Sequence, residues 1–354
     1  MGITDRKFKT SNAGKPVKNR NYLLLTGIIF FLTISITDKF SFSPEKALGK
    51  DLGRYVVVEK STRRVSLYQG GRLVAVFPCS LGLDAESPKR EKGDMATPEG
   101  LYRVYAKHPS RNYYLFIELD YPNLKDIFRA RWEGRISERE FRAYLQARWR
   151  GKIRAGSLGY AVGLHGGGLF RRGGSRSLRD WTHGCIALRN KDIQKVYSFV
   201  RIGTPVLIYD RRRPLVETLA EIVPLRFRPR ELEGRVRFSF PDTGLGVEIF
   251  FSEKRNGLRT LEIVGRSLST GKMLFYIRDL NGNGRLDPLD SMFSRVEAWP
   301  GGYAALQTLI IDDLPRQVLN LLKENSGEWS LVEDGDHHRY PLHEGPGRGA
   351  SGPG

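Results

Sequence analysis

RVSLYQGGRLVAVFPCS, residues Arg64 to Ser80, decides the architecture. Apolar and polar side chains alternate on both sides of Gly70-Gly71, a dipeptide that accepts the positive φ of a two-residue turn. A hairpin is predicted here. YVVVEK (Tyr55 to Lys60) before it and GLYRVYAK (Gly100 to Lys107) after it are β-branched and aromatic, so the hairpin has strands to join. Between them LDAESPKREKGDMATPEG (Leu83 to Gly100) is polar and full of turn residues, and reads as a loop. The expected class is mainly β with helical insertions.

Ser137 followed by Glu140 is a capping-box pattern, which predicts a basic amphipathic helix over Ser137 to Arg150. A second helix is predicted from Asn190 to Val200, followed by the strand PVLIYD at Pro205 to Asp210. RRRP at Arg211 to Pro214 marks a boundary. Beyond it RVRFSF (Arg235 to Phe240), GVEIFFSE (Gly246 to Glu253), LRTLEIVGR (Leu258 to Arg266), KMLFYIRD (Lys272 to Asp279) and MFSRVEAW (Met292 to Trp299) form a strand series. Tyr303 to Asn325 reads as helical, interrupted at Pro315. The expected organisation is a basic segment 1–20, an apolar segment 21–37, a linker 38–51, a catalytic domain 52–210, a smaller α+β domain 211–330 and a polar, disordered tail 331–354.

Hydrophobic residues make up 40% of the 354 and aromatics 11%, enough for a packed core and against a low-complexity chain. Two cysteines exclude a disulfide scaffold and a cysteine-based zinc site, but leave room for one reactive thiol. The net charge of +19 raises the question of an anionic partner. Arg6, Lys7, Lys9, Lys15, Lys18 and Arg20 precede the uncharged run Tyr22 to Ile36. That order reads as an export signal, and no A-x-A-like cleavage site follows it, which favours an uncleaved signal anchor over a cleaved peptide. Anionic membrane lipids or wall polymers then become the expected counter-charges, and nucleic acid is set aside for want of any recognised motif.

Two of the six histidines precede a cysteine in a glycine-rich setting: VGLHGGG (Val162 to Gly168) and DWTHGCIALRN (Asp180 to Asn190). A nucleophilic thiol needs an imidazole to take its proton and backbone amides to hold an oxyanion. Cys185 is the candidate nucleophile, with His165 or His183 as its base. Cys79, in the apolar run VFPCS, reads as a structural thiol.

The pattern resembles the active-site signature of the L,D-transpeptidase catalytic domain (the YkuD or ErfK/YbiS/YcfS/YnhG family), a His followed at a set distance by Ser/Thr-His-Gly-Cys. Sixteen residues separate His165 from Thr182-His183-Gly184-Cys185, and TPEGLYRV at Thr97 to Val104 is similar to a second stretch of the family. The resemblance implies a YkuD-like β-sandwich or β-rich domain over about Leu52 to Asp210. It implies Cys185 as nucleophile, His165 as its base, and His183 with Gly184 shaping the oxyanion pocket. Gly166, Thr182 and Arg189 fall to substrate binding. Two features depart from the family: Ala187 stands where an Arg is common, and a basic insertion spans Lys125 to Arg154. KGDMATPEGLYRV and ELDYPN look more like the subgroup that includes enzymes detaching lipoprotein from peptidoglycan.

The implied reaction is acyl transfer on peptidoglycan stem peptides through a Cys185 thioester, with an amine or water as acceptor and no catalytic cofactor. Alternatives are an L,D-carboxypeptidase or endopeptidase acting on peptidoglycan or its lipoprotein links, and a non-catalytic wall-binding protein. The implied location is the cell envelope, with the N-terminal segment in the inner membrane. Lipoprotein is a further implied acceptor.

A second pattern lies in the C-terminal part. Asp279, Asn281, Asn283, Arg285, Asp287 and Asp290 stand at positions 1, 3, 5, 7, 9 and 12 of a loop with Gly284 at 6, the D-x-[DN]-x-[DN]-G calcium pattern. Arg285 would offer its carbonyl. The competing reading is a solvated Asn/Gly turn, and a structural calcium ion is the expectation.

Overall fold

The computed structural model describes residues 53–169, 171–173, 176–287, 290–293, 302–324, 329–333 and 336–340. The basic segment, the apolar segment and the linker lie outside the described residues. No helix among the described residues is long and apolar enough to cross a membrane.

The predicted hairpin forms as β2 (Arg64–Gln69) and β3 (Arg72–Pro78), with β1 (Arg54–Glu59) antiparallel on β2. β4 (Gly100–Ser110) and β5 (Tyr114–Leu119) follow, then two helices, α1 (Leu124–Trp132) and α2 (Glu138–Trp149). Asn123 and Ser137 cap these helices through reciprocal bonds with Asp126 and Glu140, so each start is written in the sequence. The chain returns through β6 (Gly163–His165), a short hairpin of β7 (Arg171–Gly173) and β8 (Arg176–Leu178), and β9 (Ile186–Ala187). α3 (Asn190–Phe199) and β10 (Pro205–Tyr209) complete this part.

Eight strands join in the order β3-β2-β1-β10-β4-β5-β6-β9. β10 is parallel to β1, with Val57 opposite Leu207, so the last strand enters the middle of the sheet. Alternation along β1 serves two cores. Val56 and Val58 pack with Ile193 and Val196 of α3. Tyr55 and Val57 face the opposite way, into a cluster with Phe128 of α1 and Phe141 of α2.

Beyond β10, α4 (Leu215–Ile222) leads to a second sheet. Its strands are β11 (Leu225–Phe227), β12 (Glu231–Phe240), β13 (Leu245–Lys254), β14 (Arg259–Ser267), β15 (Met273–Arg278) and β16 (Ser291–Phe293). α5 (Gly302–Glu324) packs on it, and β17 (Trp329–Glu333) and β18 (Asp336–Tyr340) extend its edge. The second sheet shares the cluster that contains Tyr55 and Phe128, through Ile249, Ile263 and Leu219 of α4. One compact unit holds all the described residues.

Two expectations need correction. α5 runs unbroken through Pro315. The missing N–H and ring clash cost about 3 kcal/mol in a helix interior. Ile310, Leu314, Val318 and Leu321, all at 0% exposure, bury one face and offset it, each burial contributing about 1.5–3 kcal/mol. The tail expected to be disordered from residue 331 instead begins inside β17, which pairs parallel with β11 and antiparallel with β18. The open edge of β11 supplies the partner. Of the strand expected at 292–299, residues 294–299 lie outside the described residues.

Candidate active site

The short strands β5, β6 and β9 assemble the site. β6 pairs antiparallel with β5 and parallel with β9, with Leu164 opposite Ile186 and His165 opposite Ala187. One register step earlier sets Cys185 against Gly163, and the Gly163 N–H donates to the cysteine sulfur. His165 follows Gly163 by two positions, so it projects to the same face of the sheet as the Cys185 position. The Cys185 S–H lies 3.8 Å from the carbonyl of Ala161, a non-glycine residue at φ +53°. Such left-handed backbone at a non-glycine residue is uncommon and concentrates at functional sites.

His165 is 2% exposed. Its Nδ1 sits 2.6 Å from the carbonyl oxygen of Gly166 and donates to it. A carbonyl can only accept, so Nδ1 carries a proton, and in the neutral ring Nε2 is the nitrogen left to act as a base. Tyr113, Phe116 and Trp181 surround the ring at 4.2, 5.8 and 5.6 Å between centroids, so its plane is held by packing. Burial pushes the Cys185 thiol up to about 11, against the Gly163 N–H and the Lys89 charge, which favour the thiolate. At neutral pH Cys185 therefore rests as a thiol, and any chemistry at its sulfur needs a base.

The turn carrying Cys185 is built by its own residues. Thr182, 3% exposed, donates from Oγ1 to the Cys185 carbonyl at 2.7 Å and accepts from the Gly184 N–H at 3.1 Å. Gly184 has φ +120°, and a Cβ there would stand 2.5 Å from the Ala96 carbonyl oxygen. Only glycine fits. Because its N–H is committed to Thr182, Gly184 shapes the turn rather than offering a free oxyanion donor.

The remaining expected residues are dispersed. His183 is exposed beside the turn. Gly166 is buried, and a Cβ on it would strike Asn190 Oδ1 and the Tyr113 carbonyl, each at 2.6 Å; its role is close packing under His165. Arg189 precedes α3 and pairs with Asp192 at 3.0 Å. Cys79 is 3% exposed and burial raises its pKa far above the ordinary thiol range. Both cysteines are free.

Several participants were not singled out from the sequence. Trp181 adjoins Thr182 and Asn190 follows the motif, so proximity could have flagged both; Asn190 Oδ1 accepts from the Gly167 N–H at 2.9 Å. Tyr113, Phe116 and Lys89 arrive from distant strands and loops, and no local signal marks them.

In the 279–290 loop Asp279 accepts from the N–H groups of Gly282 and Gly284 at 2.7 and 2.9 Å. Asp290 accepts from Leu280 and Asp287, and Asp287 from the amides of Asn281 and Asn283. Arg285 donates its N–H to Asn283 Oδ1. Among the described residues no three His, Cys, Asp or Glu side chains gather closely enough to hold a metal.

Residues 53–208 match the family model described as the YkuD L,D-transpeptidase catalytic domain. A curated Bacillus subtilis (strain 168) protein, YqjB, described as a candidate L,D-transpeptidase, is 27% identical over 167 residues, covering 47% of this chain and 77% of the relative. Among solved structures, an L,D-transpeptidase from Mycobacterium smegmatis is similar at 16% identity and a TM-score of 0.26, over 44% of this chain and 58% of that one. The Enterococcus faecium L,D-transpeptidase is similar at 14% identity and a TM-score of 0.26, over 44% and 49% respectively. This chain thus spans less than two thirds of either solved chain.

Proposed function

We propose that the protein, whose residues 53–208 match the L,D-transpeptidase catalytic domain model, transfers acyl groups between peptidoglycan stem peptides through a thioester on Cys185. The supporting observation is the β6–β9 register, which brings the Cys185 position against Gly163 and puts His165 on the same face. His165 Nε2 takes the Cys185 proton as sulfur attacks the carbonyl of the L,D-bond between the diamino acid and terminal D-Ala. Collapse of the tetrahedral adduct breaks the C–N bond, and the imidazolium returns the proton to the departing D-Ala amine. An amine of a second stem then attacks the thioester, and the sulfur leaves as thiol by recovering a proton through His165. Water in place of that amine gives a tripeptide stem.

Product analysis separates these outcomes. Incubating sacculus fragments with the enzyme and an added D-amino acid should give new cross-links or exchanged D-amino acids, read by mass spectrometry. Tripeptide stems alone would assign hydrolysis instead. The basic leader and apolar run support an envelope location with the N-terminal segment in the membrane, where anionic lipids or wall polymers meet the excess charge.

The 279–290 loop is proposed to bind a structural calcium ion by drawing its oxygen side chains together from their present hydrogen bonds, supported by their spacing in the sequence. Its carboxylates accept N–H donors from within the loop, an arrangement that also fits a turn closed without metal. A Kd near 1 mM would stabilise the fold by about 1.4 kcal/mol at 10 mM calcium. We expect the thermal midpoint to rise by roughly 2–4 °C over that in chelator. Equal midpoints in calcium and chelator would remove the ion from the account.

A further inference from the structure

The loop from Leu83 to Gly100 has an inner side against the catalytic turn and an outer side against the second part of the chain. On the inner side the Leu83 N–H donates to the Thr182 carbonyl at 3.0 Å, and the Gly82 N–H to Thr97 Oγ1 at 2.9 Å. The Ala96 carbonyl packs on Gly184, and the stem of Lys89 passes 3.8 Å from the point where a Gly184 Cβ would stand. Lys89, 4% exposed, is fixed at its head by Asp94 Oδ1 at 2.6 Å and the Glu91 carbonyl at 2.9 Å.

On the outer side the loop is gripped by ion pairs. Arg90 engages both carboxylate oxygens of Glu221 in α4, one of them at 3.2 Å. Glu221 is 4% exposed and also meets Lys125 at 2.7 Å and Arg129 at 3.6 Å. Burial opposes its charge, but Arg90, Lys125 and Arg129 together hold it well below the usual carboxylate range. Arg213, just before α4, forks onto Glu99 at 2.6 and 3.0 Å and donates to the Glu86 carbonyl. α4 is in turn seated on the second sheet. Val216 N–H donates to the Gly284 carbonyl at 3.2 Å, Glu217 pairs with Arg259 at 2.9 Å, and Leu215 and Leu219 share the core of Ile249 and Ile263.

We propose that Glu221 and Arg213 are positioning residues of the active site: through Arg90 and Glu99 they hold the 83–100 loop against Gly184, so the second sheet, by seating α4, supports the turn that presents Cys185. This rests on the reading of Cys185 as nucleophile. A charge-assisted fork to a buried carboxylate stabilises far more than an exposed pair, because without it Glu221 and Glu99 keep only part of their donors, from Lys125 and Lys60. The contacts to the catalytic turn are neutral hydrogen bonds and packing, while buried Lys60, just after β1, also holds the loop through Glu99 at 2.7 Å and the Ser87 and Thr97 carbonyls at 2.8 and 3.2 Å. The outer ion pairs of Arg90 and Arg213 therefore set its position together with Lys60.

The test uses the full chain with Arg90→Gln, Arg90→Gln combined with Arg213→Gln, and Arg90→Lys. Hydrogen exchange should accelerate in peptides of 83–100 by about tenfold in the single variant and more in the double, the loss a charge-assisted bond allows. Peptides of β13 and β14 should keep wild-type protection. Cys185 alkylation by iodoacetamide should change with the loop, and kcat on a tetrapeptide stem should fall by about tenfold while KM moves little. Arg90→Lys should recover part of each effect. Wild-type exchange and alkylation in the double variant would overturn the proposal, as would an increase spread evenly over the molecule. Failure of the transpeptidase reading looks different: no wild-type turnover, with the exchange and alkylation contrasts intact.

Discussion

Cys185→Ala is expected to abolish release of D-Ala from a tetrapeptide stem, lowering turnover by about 10⁴-fold or more, the scale seen when a covalent nucleophile is removed. The sulfur has no substitute nearby: the other cysteine, Cys79, is 3% exposed in the core and burial holds it protonated. The substitution removes one atom from a turn whose geometry comes from Thr182 and Gly184, so the fold and the thermal midpoint should persist. D-Ala release is measured by coupled amino-acid oxidation with the stem in excess. A Cys185→Ala protein with wild-type release would place the nucleophile elsewhere.

His165→Gln is expected to lower kcat/KM by about 10²–10⁴-fold at neutral pH, the usual contribution of a general base. Glutamine can keep a donor toward the Gly166 carbonyl but offers no basic nitrogen. The sign of the pH dependence follows from the thiol. Burial pushes Cys185 up to about 11, so without its base the thiolate fraction grows roughly tenfold per pH unit below that value. The variant's kcat/KM should therefore climb steadily from neutral pH to about pH 10, while the wild type gains far less over the same range. A residual rate that stays flat with pH would mean that His165 does not supply the base.

Strands β1 to β4 and β10 and the helix capped by Ser137 could be read from local pattern, because alternation about Gly70-Gly71 and the Ser137/Glu140 pair act over a few residues, whereas β5, β6, β9 and the helix capped by Asn123 were not expected. Tertiary contact decided the rest. Pro315 would end an isolated helix, yet α5 continues because Ile311, Leu314 and Val318 bury one of its faces. β17 and β18 depend on the open edge of β11, a partner about a hundred positions earlier in the chain. Within the site, Cys185 and His165 announced themselves by spacing in glycine-rich runs. The aromatic enclosure of His165 did not, since Tyr113 and Phe116 reach it only through the β5–β6 pairing. The salt-bridged grip of Arg90 on Glu221 joins residues 131 positions apart and leaves no trace in either segment.

The proposed reaction requires a covalent acyl group on Cys185. Wild-type protein mixed with excess tetrapeptide stem, quenched in acid within the first turnovers and digested, should yield the Cys185 peptide carrying the tripeptide acyl mass, labile to hydroxylamine as a thioester is. An unmodified Cys185 peptide in samples that have released D-Ala would contradict it.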